Sequence, residues 1–147
     1  MKELVTLNNT ESILFLCTGN SCRSQIAEAI AKELINNNIL IESAGTNPEP
    51  VNPHAIQTLE NIGIDISNNI SKKIKLNEIN RYDLIITLCG DARDSCPVIN
   101  LPNQHIHWNI EDPAKFRGTK DEINLKFAEI RDMIYNHIIL LEEKLNK

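Results

Sequence analysis

What the chain lacks narrows its function first. No apolar run approaches the length needed to cross a bilayer, and Met1 to Glu11 has no signal-peptide core, so a cytoplasmic protein without a membrane partner is expected. Basic runs are missing and the formal net charge is −5, which argues against nucleic acid or an acidic membrane as the main partner. No segment repeats, none is of low complexity, and no glycine-rich dinucleotide fingerprint is present. A bound nicotinamide is therefore not expected, nor is any other cofactor. The chain has only 4 cysteines, which in a reducing compartment point away from a disulfide framework and toward reactive thiols or metal. Four residues separate Cys17 from Cys22 and six separate Cys89 from Cys96, against about two in most zinc ribbons, so structural zinc is a weak alternative. His54, His105, His107 and His137 are scattered, and only 105 and 107 share a strand face, so no metal site is expected.

What is present suits one domain. The 147 residues, 41% hydrophobic, are enough for a single core, with residues 1–11 as a polar extension that carries no visible chemistry. Strands are expected over Ser12 to Cys17, Ile39 to Ser43, Tyr82 to Leu88 and His105 to Trp108. Helices are expected from Ser24 to the Asn36-Asn37-Asn38 run, from Pro53 to Asn61, briefly over Leu76 to Asn80, and along a C-terminal stripe from Ile123 to Leu145. Ile64 to Ser67 reads as a short extended piece. Alternating strands and helices imply an α/β protein with a parallel sheet covered on both faces, whose ligands bind beyond the carboxyl ends of the strands. Cys17, Cys89 and the Asp112 loop all follow strands. Trp108 suits the core or its rim, and Lys72-Lys73 is most simply a solvated turn.

The chemistry centres on Ile13 to Ser24. An apolar run, Ile13-Leu14-Phe15-Leu16, breaks into Cys17-Thr18-Gly19-Asn20-Ser21-Cys22-Arg23-Ser24 and then into a helical pattern. A strand ending in cysteine, five small or polar residues and an arginine can wrap backbone N–H groups around one tetrahedral oxyanion, with Gly19 expected to allow the tight turn. The helix that follows aims its positive end at the same point. That field should favour the Cys17 thiolate, with Ser24 close enough to donate to the sulfur. Cys17 is the expected nucleophile and Arg23 the oxyanion clamp, with Thr18 to Ser24 as the binding loop. A strand-end cysteine alone is more often a small buried hydrophobe, and it is the combination that carries this reading.

Two other stretches join it. Asp112-Pro113 can hold a carboxyl over the loop as a proton donor, although on its own the dipeptide is mostly a turn. Cys89 to Cys96 places two thiols across a polar, glycine-containing segment able to bend. Set beside a nucleophilic Cys17, they could serve a thiol relay, where a random chain would hold two incidental cysteines.

The Cys17 loop and Asp112-Pro113 resemble the phosphate loop and acid loop of the low-molecular-weight protein tyrosine phosphatase superfamily, and the Cys89–Cys96 pair, which ordinary tyrosine phosphatases do not need, resembles that of the arsenate reductases within it. Within it the chain is similar to the thioredoxin-coupled arsenate reductases over nearly its whole length. The resemblance implies a four-stranded parallel sheet of that type and an arsenate substrate held by the Cys17 loop and Arg23, with Asp112 as general acid. It also implies a relay in which Cys89 attacks Cys17, Cys96 opens that disulfide and thioredoxin reduces the Cys89–Cys96 bond. Cys22 has no step and should be packing. Phosphatases of this type usually follow Asp-Pro with an aromatic residue, where this chain has Ala114, as the reductases do. Some relatives bind potassium beside the loop; Asn20, Glu28 and Ser43 match its ligands, but Lys72 stands where the aspartate would be. A lysine offers no acceptor and cannot ligate a cation. A monomer is expected. Two other readings stay open, a phosphotyrosine hydrolase using Cys17, Arg23 and Asp112 alone and a non-catalytic thiol redox sensor.

Overall fold

β1 (Ser12–Cys17) is buried at every position because it lies inside the sheet and both of its faces are covered. The computed structural model describes residues 7, 9–36, 38–89 and 104–145. After β1 come α1 (Arg23–Leu34), β2 (Leu40–Gly45), α2 (Pro53–Glu60), a 3-10 turn (Leu76–Arg81), β3 (Leu84–Cys89), β4 (Gln104–Asn109), a second 3-10 turn (Pro113–Lys115) and α3 (Lys120–Leu145). The strands are all parallel in the order β2-β1-β3-β4. Every expected strand and helix is found within two or three residues of its anticipated bounds, and Ile64 to Ser67, expected only as a short extended piece, joins no strand. The segment expected to bend after Cys89, and the loop leading to Gln104, lie outside the described residues.

Strand alternation divides the core in two. Ile13, Phe15, Ile41, Leu84, Ile86, Leu88 and Trp108 face α1, α2 and α3, where they meet Ile26, Ile30, Leu59 and the α3 stripe of Phe127, Ile130, Ile134, Ile138 and Leu141. Each such side chain contributes roughly 2 kcal/mol by leaving water. On the other face Leu14, Leu16, Ala44 and Ile85 are covered by Ile79 of the first 3-10 turn, with Ile74 and Tyr82 beside it. Helical cover is thus present on both faces, as α-helices on one and a 3-10 turn on the other. Trp108 is a core residue, its ring centroid 5.8 Å from that of Phe15 and 4.8 Å from that of His137. Part of the polar extension also belongs to the core, since Leu7 is buried in the α-helical cluster. Among the described residues no helix is long and apolar enough to cross a membrane.

The order of strands puts a topological switch point between β1 and β3. β1 connects to one neighbour on one side and the chain then returns to the other, which opens a crevice beyond their carboxyl ends. Cys17 ends β1 and Cys89 ends β3, on adjacent strands at this crevice.

Candidate active site

The loop between β1 and α1 has its carbonyls drawn outward. Thr46 N donates to Cys17 O (3.3 Å), Asn47 N to Thr18 O, Glu49 N to Gly19 O and Asn52 N to Ser21 O (each 2.9 Å). Asn20 O accepts from Gln25 Nε2 (3.1 Å) and Ser71 Oγ (2.8 Å). With these oxygens turned to the neighbouring segment, the N–H edges of the loop face its hollow, which is the arrangement that binds an anion. α1 starts at Arg23 with its positive end toward the hollow. Its N-cap, Cys22, provides no side-chain cap, so an anion in the loop can take that role.

The left-handed residue of this loop is Asn20, with φ 49°, and Gly19, expected to allow the tight turn, is not left-handed. Asparagine tolerates that conformation when its side chain is engaged locally, and Asn20 is fully engaged. Its Nδ2 donates to Ser24 Oγ (2.8 Å) and Ser43 Oγ (2.9 Å), while Oδ1 accepts from Gln25 Nε2 (3.1 Å) and Lys72 N (2.8 Å). Because Asn20 already donates to Ser24, the Ser24 hydroxyl hydrogen is left to point at Cys17 Sγ, 2.8 Å away. Asn20 and Ser24 therefore serve the scaffold through their side chains. Thr18, Gly19, Ser21, Cys22 and Arg23 line the hollow with Cys17, in a cavity of about 190 Å³.

Arg23 is buried and reaches across to the segment after β4. Its Nη1 donates to Ile110 O (2.9 Å) and Nη2 lies 3.7 Å from Asp112 Oδ2. Asp112 in turn caps the short turn that Pro113 begins, accepting from Ala114 N through Oδ1 (3.0 Å). One carboxylate oxygen is held by the backbone and the other faces the arginine at the cavity wall. Glu49, Ala114 and Lys115 also line this cavity, and sequence reasoning missed Glu49 and Lys115 as members. The only signal for Lys115 was its nearness to Asp112. Glu49 arrives from the loop after β2 and had no signal.

The cysteines separate into distinct kinds. Cys17 and Cys22 are free thiols, both buried. Burial, above all, pushes the Cys22 thiol up to about 12, with nearby Asp112 and Cys17 adding to the effect and Ser21 and Arg23 opposing it. Cys22 should thus stay protonated and inert. Iodoacetamide at pH 8 is expected to label Cys17 in the folded protein and leave Cys22 unmodified, as read by peptide mass mapping; equal labelling of the two would contradict this assignment. Cys89 is buried and disulfide-bonded. Cys96 lies outside the described residues. His105 and His107 share one face, as expected, and both contact the Thr87 hydroxyl, His105 Nε2 at 2.9 Å and His107 Nδ1 at 2.7 Å. Among the described residues no group of three or more His, Cys, Asp or Glu is placed to hold a metal ion.

The residues that match a potassium site do not fit a cation here. Lys72 is not a solvated turn residue alone: its Nζ stands 3.6 Å from Glu28 Oε1, and Lys32 Nζ stands 2.6 Å from Glu28 Oε2. Ser43 Oγ donates to the same carboxylate while accepting from Asn20. Two ammonium groups already neutralise Glu28 and would repel a third positive charge. Activity and thermal stability are therefore expected to be the same in potassium and sodium at constant ionic strength. Lys72→Asp should introduce a potassium dependence, measured by titrating the salt against initial rate. Potassium activation of the wild-type protein would refute the substitution of lysine for metal.

Comparison with known proteins follows the same lines. Residues 12–147 match the family described as low molecular weight phosphotyrosine protein phosphatase. The chain is 44% identical over 126 residues to the arsenate reductase of Bacillus subtilis (strain 168), covering 86% of this chain and 91% of that one. It is similar to the structure of an arsenate reductase in the phosphate binding state, with a TM-score of 0.71 and 34% identity, covering 92% of this chain and 98% of that one. Vibrio vulnificus Wzb in complex with benzylphosphonate shares the fold, with a TM-score of 0.74 at 20% identity over 93% of this chain and all of that one.

Proposed function

Since the chain belongs to the low molecular weight phosphotyrosine protein phosphatase family, we propose that its oxyanion loop serves the reduction of arsenate to arsenite, with Cys17, Cys89 and Cys96 as a relay regenerated by thioredoxin. The observation that carries the reading is a free cysteine thiol that lines one cavity with Arg23 and Asp112, in a loop whose carbonyls are bonded to the neighbouring segment. The solved relative in the phosphate binding state supports a tetrahedral oxyanion as the ligand.

In this scheme the Cys17 thiolate attacks arsenic as Arg23 and the loop amides hold the equatorial oxygens. Asp112 gives a proton to the departing oxygen, and a thiol–arsenate adduct remains. Cys89 then attacks Cys17 Sγ. The sulfur–arsenic bond breaks with its electron pair going to arsenic, so arsenic(V) leaves as arsenite while two thiols become one disulfide. Cys96 attacks Cys89 and frees Cys17, and thioredoxin supplies two electrons to the Cys89–Cys96 bond. By strand alternation Cys17 points to the face of Phe15 and Cys89 to the face of Thr87. A Cys17–Cys89 bond therefore requires the end of β3 to loosen, and a polar segment after Cys89 suits that demand.

The phosphotyrosine hydrolase remains the second reading, favoured by the fact that Cys17, Arg23 and Asp112 alone would suffice for it. The disulfide at Cys89, Ala114 after Asp112-Pro113 and the 44% identity to a reductase favour the relay. The deciding experiment is arsenate-dependent NADPH oxidation with thioredoxin and thioredoxin reductase, run beside hydrolysis of a small aryl phosphate. Sustained arsenate-dependent oxidation with only weak hydrolysis is expected, the latter indifferent to Cys89 and Cys96. Vigorous hydrolysis without arsenate turnover would establish the phosphatase.

A further inference from the structure

We infer that Lys126 of α3 is a positioning residue for Asp112, holding segment 110–116 through residues other than those that Arg23 contacts. Its Nζ lies 2.8 Å from Glu111 Oε1, the neighbour of Asp112, and 5.6 Å from the centroid of the Phe116 ring at the other end of the segment. One ammonium thus ties both ends of the acid loop to the long helix, by an ion pair and a cation–π contact. The lysine side chain is only 16% exposed, and the hydrogen bond to Glu111 raises its pKa. The attachment continues into the helix start. Thr119 and Glu122 exchange capping bonds, with Thr119 N donating to Glu122 Oε1 (2.8 Å) and Glu122 N to Thr119 Oγ1 (3.2 Å). A Cβ on Gly118 would approach both Phe116 and Glu122 to 3.0 Å.

The need for a second anchor follows from what Arg23 must do. Arg23 faces Asp112 at 3.7 Å and donates to Ile110 O. An oxyanion in the hollow competes for the same guanidinium, so the arginine's grip on the carboxylate weakens at the moment the proton must be delivered. Neither Lys126 nor Glu111 lines the cavity, so an oxyanion bound there would not compete for their ion pair. An ion pair with so exposed a partner as Glu111, 58% exposed, adds little to global stability. Its effect should be on geometry, and small misplacements of a proton donor are costly to rate.

This inference rests on Asp112 as the proton donor. The test compares Lys126→Met, Lys126→Arg, Glu111→Gln and Asp112→Asn by steady-state arsenite formation with thioredoxin and by aryl phosphate hydrolysis. Lys126→Met should lower kcat about five- to tenfold on both substrates with KM within about twofold, because positioning is lost and binding is not. Lys126→Arg should restore most of the rate, Glu111→Gln should match Lys126→Met, and the double variant should be no slower than either alone. In an Asp112→Asn background Lys126→Met should cost nothing further. A wild-type kcat in Lys126→Met, while Asp112→Asn is slow, would overturn the inference alone. A fast Asp112→Asn would overturn the proton-donor reading and the inference with it. If Lys126→Met lowered rate only in proportion to a fall in melting temperature, with Glu111→Gln inert, the role would be structural and the inference wrong.

Discussion

Cys96→Ser is expected to release one equivalent of arsenite per protein and then stop. In the proposed relay Cys96 has no part in forming the adduct or in the first sulfur–sulfur bond, so the first turnover should proceed at close to the normal rate and leave Cys17 trapped with Cys89. Cys89→Ser should stall one step earlier, with arsenic still on Cys17 and no arsenite released. Cys17→Ser should lose reduction altogether, a fall on the order of 10⁴-fold or more, as expected when a nucleophile is removed from a unit that acts together. The measurement is a rapid-quench arsenite yield with disulfide mapping of the products. Sustained turnover by Cys96→Ser with thioredoxin would remove the relay, and a full equivalent of arsenite from Cys89→Ser would reassign the attacking thiol. The graded pattern is informative because the two cysteines described sit in different settings: Cys17 is free at the hollow, Cys89 is already oxidised in the structure, and both stand at the ends of adjacent strands.

Gly45→Ala should cripple the oxyanion site although Gly45 itself does not line the cavity. Gly45 ends β2 beside Cys17, and its backbone is held on both sides, its N donating to Lys72 O (2.8 Å) and its O accepting from Ile74 N (2.9 Å). A methyl group there would lie 2.5 Å from Thr18 O, 2.9 Å from Asn20 N and 3.0 Å from Gly19 C. All three are backbone atoms of the oxyanion loop, so no rotamer change relieves the overlap and the loop itself must move. Overpacking of this kind costs roughly 1–3 kcal/mol of stability. A displacement approaching 1 Å at a site that depends on directed N–H groups can cost about 100-fold in rate. We expect a fall of that order in arsenite formation, weakened binding of phosphate by isothermal titration, and a melting temperature lowered by only several degrees. Near wild-type phosphate binding in Gly45→Ala would show that the loop tolerates the shift.

Local periodicity made most of the elements legible. β1 and β3 are short apolar runs ending in turn residues, and the α3 stripe recurs at three- and four-residue steps, so burial on a sheet or against one was written into neighbouring positions. The oxyanion loop was legible for a similar reason, since a strand, a cysteine, a turn, an arginine and a helix are contiguous in the chain. Asp112 was legible only through the resemblance, because an Asp-Pro turn has the same local form whether or not a thiol lies above it.

What the sequence alone determined, then, is the set of segments that fold locally and the one loop whose chemistry lies within a dozen consecutive residues. Tertiary structure decided which residue of that loop takes the left-handed turn: Asn20, whose amide is claimed by Gln25, Ser24, Ser43 and Lys72, three of which belong to α1 and β2 and one to a later segment. It also decided that Leu7 belongs to the core, that Glu49 and Lys115 line the cavity, that Lys72 reaches Glu28, and that Lys126 grips Glu111. Most of these pairings join residues far apart in the chain. Periodicity reports only what a residue shares with neighbours a few positions away, whereas an ion pair or a close backbone approach depends on where the sheet order carries each segment, and that is settled only when the strands have paired.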